Sequence, residues 1–115
     1  MKRSPHRKFG REPIQRKAMY KALATALIDQ GRIQTTQAKA KSLSSFTDRL
    51  VNRAKKGDLA SRRLLLSRVG SKAVDKLMKD IGPRFKDRDG GYTRVIRMGR
   101  RTSDGSPMAL IEFTS

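Results

Sequence analysis

Leu43, Phe46, Thr47, Leu50, Val51 and Ala54 recur at i, i+3, i+4, i+7, i+8 and i+11. Side chains so spaced share one face of an α-helix. The boundaries of that helix are signalled as well. Thr36 can act as an N-cap, its hydroxyl accepting an orphan N–H of the first turn. Gly57 stands where a residue in the left-handed conformation closes a helix. An apolar stripe of this length has to be covered, so the remaining chain must supply elements that pack around it.

Those elements can be read in turn. Pro13 suits a first helical turn and Gly31 a stop, which predicts a helix over residues 13–30. Met19, Ala22, Leu23, Ala26 and Leu27 form its expected core stripe, with Arg16, Lys17 and Lys21 on the other side. Residues 32–36 alternate and are β-branched, which predicts a strand. Asp58 can cap a third helix reaching Val69, with Leu59, Leu65, Leu66 and Val69 inward and Arg62, Arg63 and Arg68 outward or flanking. Gly70 should end it, and Ser71 should cap a fourth helix with the stripe Val74, Leu77, Met78 and Ile81. Gly82 and Pro83 are expected to terminate that helix, one as a left-handed cap and the other through a ring that cannot continue it. Residues 92–98 and 108–113 read as strands joined by a polar loop containing Asp104 and Gly105. The expected fold class is α+β, with about four helices on one face of a small three-stranded mixed sheet. Residues 12–115 form the single expected domain. Residues 1–11 form an extended, disordered basic arm, because Lys2, Arg3, Arg7, Lys8 and Arg11 have no acid among them, and Pro5 and Gly10 oppose regular structure.

Charge constrains the partner. The 115 residues carry 28 Lys+Arg against 10 Asp+Glu, a formal net charge of +18. Self-repulsion of that size opposes compaction, so a polyanion is the expected companion, as for a nucleic-acid binder. No apolar run approaches the ~20 residues that span a bilayer, and no apolar core follows the basic N-terminal run, as a secretory signal requires.

Catalysis has little to work with. Cysteine is absent, which removes disulfides, thiolate ligands and thiol nucleophiles. The lone histidine, His6, sits among cations with no carboxylate nearby in sequence to orient it, so a phosphate or base contact suits it better. Zinc-ligand spacing and the Gly-Lys-Ser/Thr pattern of phosphate loops are missing, and the ten acids are scattered. Asp87 and Asp89 lie among Arg84, Lys86 and Arg88, where ion pairing accounts for them better than a metal. No enzymatic activity, cofactor, metal or small-molecule substrate is expected.

Binding remains. Around Gly90 and Gly91, which open a strand, stand Arg84, Arg88, Arg94 and Arg97 with Tyr92. Glycines permit close approach of a bulky partner, and arginines offer planar donor forks to phosphate. Cationic blocks at residues 2–21, 53–72 and 84–101 could converge into one anion-binding surface, with Arg100 and Arg101 closing the last block. Aromatics make up 5% of the chain. Phosphate and shape recognition of folded RNA therefore fits better than a base-stacking platform.

Several collinear motifs give the chain a family likeness. They are His6-Arg7-Lys8, Arg16-Lys17-Ala18-Met19, Ile33-Gln34-Thr35-Thr36 with Lys39-Ala40-Lys41, and Arg62-Arg63. Further on come Gly82-Pro83-Arg84-Phe85, Arg88-Asp89-Gly90-Gly91-Tyr92-Thr93-Arg94, and Arg101, Asp104, Met108, Ile111 and Glu112. In these the chain resembles the bacterial-type large-subunit ribosomal protein seventeen family over nearly its whole length. Gln15, Ser42, Ser44 and Ser45 depart from the family pattern. The resemblance implies a structural constituent of the large ribosomal subunit, one that binds and clamps large-subunit rRNA near the nascent-peptide exit beside other ribosomal proteins. It implies a cytoplasmic ribosome, with an organellar one left open, and no cofactor.

Lys2, Arg3, His6, Arg7, Lys8, Arg11, Arg16, Lys17, Lys21, Thr35, Thr36, Lys39 and Lys41 are the candidate rRNA contacts of the first third of the chain. Arg62, Arg63, Arg84, Arg88, Gly90, Gly91, Tyr92, Arg94, Arg97, Arg100 and Arg101 complete the set. A DNA-binding or nucleoid-compacting protein is the alternative of another class. It would need a helix with a compact Arg/Asn/Gln cluster for base readout, which this sequence lacks. A membrane-active cationic peptide fits less well still, since there is no Trp to anchor an interface.

Overall fold

The computed structural model describes residues 13–114. The basic arm at residues 1–11 and its candidate contacts Lys2, Arg3, His6, Arg7, Lys8 and Arg11 lie outside the described residues. The order is α1 (Pro13–Gln30), β1 (Arg32–Thr36), α2 (Gln37–Lys56), α3 (Leu59–Leu66) and α4 (Ser71–Lys76). A π-helical turn (Leu77–Ile81) and a closing α-turn (Gly82–Arg84) extend α4, and the strands β2 (Thr93–Arg100) and β3 (Pro107–Phe113) follow.

Local signals set most boundaries. The Thr36 hydroxyl accepts from Lys39 N–H at 3.3 Å, and Gly57 closes α2 at φ 69° with its N–H on the Ala54 carbonyl. Asp58 caps α3 by accepting from Ser61 N–H at 2.8 Å. Gly31, at φ 84°, ends α1 with its N–H on the Leu27 carbonyl. The cap of α4 is Gly70, not Ser71, and it has no side chain to bond; its N–H instead donates to Thr25 Oγ1 at 3.4 Å.

Gly82 and Pro83 do not stop the fourth helix. Gly82 is right-handed, at φ −54°, and its N–H reaches back to the Leu77 carbonyl across the π turn. The wider turn shifts the hydrogen-bond register by one residue, so Pro83 falls in the first turn of a new segment, where a missing N–H costs nothing. A Cβ on Gly82 would lie 3.0 Å from the Leu77 carbonyl oxygen and 3.4 Å from the Ala54 carbonyl group. Close packing of the turn against α2 therefore requires the glycine.

α2 is the central element, in contact with all three strands and with α1, α3 and the π turn. Leu43, Thr47, Leu50, Val51 and Ala54 are buried as the period demands, while Phe46 is only half-buried. In α1 the inward face is Ala24, Leu27 and Ile28; Ala22 is exposed, so the stripe is rotated from the expected one. Leu59 and Leu66, expected inward on α3, are exposed. α3 is only eight residues long, and Leu65 with Val69 suffices to close the core there.

The sheet has the order β1-β3-β2 and is antiparallel throughout rather than mixed. β3 takes the centre, and β1 and β2, which run the same way, never become neighbours. Ile111, Ala109 and Phe113 face α2, with Ile33, Thr93 and Val95 beside them; Glu112, Leu110, Gln34, Arg94 and Ile96 share the opposite face. Met98 is the extra residue of a bulge between Arg97 and Gly99, and Gly99 carries it at φ 86°.

Candidate nucleic-acid interface

The cations divide into those tied to carboxylates and those without such a partner. Arg62 donates to Asp75 at 2.6 Å, Arg84 to Asp80 at 3.2 Å, Arg94 to Glu112 at 2.9 Å, and Arg101 grips Asp104 through two bonds of 3.0 Å. The Arg62 hydrogen bond holds the Asp75 carboxyl below its usual range, and Arg101 holds that of Asp104 at about 2. Asp58 is lowered by its capping bonds to Ser61. Each of the four arginines keeps unused donors, but much of its charge is compensated in place.

Of the cations without a carboxylate partner among the described residues, Arg88, Arg97 and Arg100 lie in or before β2, and another group gathers on the helical side. Arg16, Lys17 and Lys21 of α1 share a cavity with Arg68, which follows α3. Lys21 and Ala18 pass into a second cavity between α1 and α4, bordered by Lys72 and Lys76 and floored by Ala22, Ala26, Gly70 and Ala73. Phe46 and Arg68 pass into a third, with Arg49 and Arg53 of α2 on its wall. Sharing these residues, the three cavities adjoin one another and form a trough over the helical side. Asp29 is the one acid among the described residues lining it.

α1 supplies one wall because Ala24, Leu27 and Ile28 turn its other face inward. Arg49 and Arg53 lie one turn apart on α2, as Lys72 and Lys76 do on α4, so each pair projects from one side of its helix. These five residues, counting Arg68, were not among the candidates taken from the sequence. The i, i+4 spacing of the two pairs, next to half-buried Phe46, was the signal that could have found them.

The structure thus brings Arg16, Lys17 and Lys21 of the first cationic block together with Arg53, Arg68 and Lys72 of the second, leaves Arg62 and Arg63 outside the trough, and separates the third block. None of the residues 84–101 lines the trough. Arg94 and Arg97 point to opposite faces of β2, Arg94 beside Glu112 on the open face and Arg97 in register with Ala109 on the helix side. Arg97 is nevertheless exposed, and Arg100 donates to the Gly105 carbonyl at 2.9 Å. Lys39 is half-buried, and Lys41 and Arg63 are exposed. Thr35 is half-buried in register with Ala109, and the hydroxyl of Thr36 is occupied by its capping bond.

Of the two roles open to Tyr92, packing in the sheet or contact with RNA, the structure has the first: the ring is fully buried, 5.2 Å from Phe85 between ring centroids. Its hydroxyl donates to Asn52 Oδ1 at 2.6 Å and accepts from Lys55 Nζ at 3.0 Å. Lys55 also donates to the Arg88 carbonyl. The loop before β2 is thereby pinned to α2, and Arg88 is turned to donate to Thr114 Oγ1 at 3.1 Å. Gly91, at φ 63°, supplies the left-handed turn this path needs, whereas Gly90 borders open space. The burial has a plain cause: the apolar face of β2 continues backward through Tyr92 onto Phe85 and Phe113.

An α+β domain of this size, with a groove edged by cations that lack carboxylate partners, falls in the class of small, strongly basic α+β domains. Comparison with known proteins makes this specific. The model of the family described as ribosomal protein L17 matches residues 19–114. The large ribosomal subunit protein bL17 of Symbiobacterium thermophilum is 47% identical over 109 residues, covering 94% of this chain and 96% of that protein. The bL17 protein of Thermodesulfovibrio yellowstonii is 51% identical over 108 residues, covering 93% and 81%. That of Halalkalibacterium halodurans is 45% identical over 115 residues, covering 92% and 96%. The chain belongs to the ribosomal protein L17 family. Membership carries a structural role on the ribosome, not an enzymatic one.

Proposed function

We propose that this chain is a structural constituent of the large ribosomal subunit that clamps large-subunit rRNA along the helical trough. The observation that carries the reading is the separation of charge. Arg62, Arg84, Arg94 and Arg101 are compensated by Asp75, Asp80, Glu112 and Asp104, while the cations of the trough have no carboxylate partner among the described residues and, unlike Arg88, Arg97 and Arg100 of the sheet side, border a concave surface together. A concave row of uncompensated charge holds a polyphosphate by releasing its counterions. The alanine and glycine floor beside Lys21, Lys72 and Lys76 lets a backbone approach closely. Relatives named as large ribosomal subunit proteins support the assignment to that subunit, and the family likeness supports a cytoplasmic ribosome and a seat near the nascent-peptide exit beside other proteins. Arg63, Arg97, Lys39, Lys41 and the basic residues of the N-terminal segment add outlying contacts in this reading.

The test is incorporation. Lys21→Glu, Arg49→Glu and Arg68→Glu together change exposed side chains only, so thermal unfolding should stay within a few degrees of wild type. The triple variant should be missing from large subunits sedimented from a lysate, where the wild type co-sediments. Normal co-sedimentation of the variant would place the RNA contacts elsewhere.

A further inference from the structure

Among the rings of the described residues, Tyr20 and Phe46 pack on the edge of the core, while Phe85, Tyr92 and Phe113 lie within it. Tyr20 and Phe46 stack on each other at 5.3 Å between centroids with 21° between planes, and both are only half-buried. The stack forms one wall of the middle cavity of the trough, about 420 Å³, whose rim carries Arg16, Lys17, Lys21 and Arg68. That volume falls within the ~300–1,000 Å³ typical of sites for small planar ligands. An apolar wall of two rings, edged by four cations, matches a nucleotide in both its parts: a flat base and a phosphate on either side.

We infer that the middle cavity takes a single base extruded from the bound RNA, stacked against Tyr20 and Phe46, while Arg16, Lys17, Lys21 and Arg68 hold its flanking phosphates. This deepens the reading of the trough as an RNA clamp and rests on it. Phosphate contacts orient the protein on its RNA but do not distinguish paired from unpaired nucleotides, whereas one seated base ties the protein to an unstacked position. Every base offers a π-face, so the site reads an unpaired nucleotide rather than a particular base.

The experiment uses the full chain and two hairpin RNAs of equal charge. One is fully paired; the other carries a single bulged 2-aminopurine. The wild type should bind the bulged hairpin about tenfold or more tightly, the size of one base–aromatic stack, and should quench the 2-aminopurine fluorescence. Tyr20→Leu keeps apolar volume but removes the ring; it should abolish both the preference and the quenching, so that the two hairpins bind alike. Tyr20→Trp, which enlarges the ring, should retain both. Equal binding of the two hairpins by the wild type, or persistence of the preference in both Tyr20→Leu and Phe46→Leu, overturns the inference and leaves the clamp standing. Failure to bind either hairpin overturns the clamp and the inference together.

Discussion

Tyr92 illustrates how one side chain can join core and surface. Its ring packs on Phe85, and its hydroxyl links Asn52 and Lys55, so helix and loop share one polar node inside an apolar layer. Tyr92→Phe should cost about 1–2 kcal/mol, because Asn52 and Lys55 lose a buried partner, and should lower Tm by several degrees. RNA affinity measured well below Tm should not change; a tenfold loss would mean that the ring meets the ligand after all. Asp104 makes a different prediction. Held by Arg101 at about 2, its folded pKa lies below the ordinary carboxylate value, so the Asp104–Arg101 contribution is complete above that ordinary value and vanishes as pH falls through about 2. An NMR titration should place the midpoint there, and Arg101→Gln should move it toward the ordinary carboxylate value. Two ion pairs are local, Asp80 preceding Arg84 by four residues and Asp104 following Arg101 by three. Yet the expected pairing of Asp87 and Asp89 with Arg84, Lys86 and Arg88 is not formed among the described residues, because Arg84 turns back along its helix to Asp80. The other two ion pairs join residues 13 and 18 apart, and no local rule reveals which acid a fold will bring to Arg62 or Arg94.

Among the elements, what was readable was what is local. Caps and left-handed glycines act within four residues, so Thr36, Gly57, Asp58 and Gly31 could be placed from sequence alone. Thr36→Ala should cost about 1 kcal/mol through the lost cap, visible as a lower urea midpoint with unchanged m-value. The fate of Gly82 was not local. It depends on how closely the π turn approaches Ala54, a contact across 28 positions that periodicity does not encode. Gly82→Ala should therefore destabilise by about 1–3 kcal/mol, although alanine is the better helix former, because its Cβ meets two backbones that cannot yield cheaply. A stabilised variant would contradict the packing described for this turn. The rotation of the α1 stripe has the same origin: Ala24 and Ile28 face inward because α4 and β1, not the helix itself, decide which side is covered.

For the whole molecule, α2 decides which basic segments meet. α1, α3 and α4 gather around it on the helical side, where Arg16, Lys21, Arg49, Arg53, Arg68 and Lys72 come to edge a single groove. The β-hairpin keeps its arginines in another layer, two of them occupied by Glu112 and Asp104. Composition could announce an anionic partner, since +18 on 115 residues leaves few other companions. It could not say which side of the fold would hold it, because that follows from helix rotation and from pairings remote in sequence. The decisive measurement is the slope of log affinity against log salt for a large-subunit rRNA fragment, taken for wild type and for the Lys21→Glu, Arg49→Glu, Arg68→Glu variant. If the trough grips phosphates, the variant's slope should be shallower by about one for each lost contact, roughly three in all. A slope equal to that of the wild type would show that those phosphates are held elsewhere.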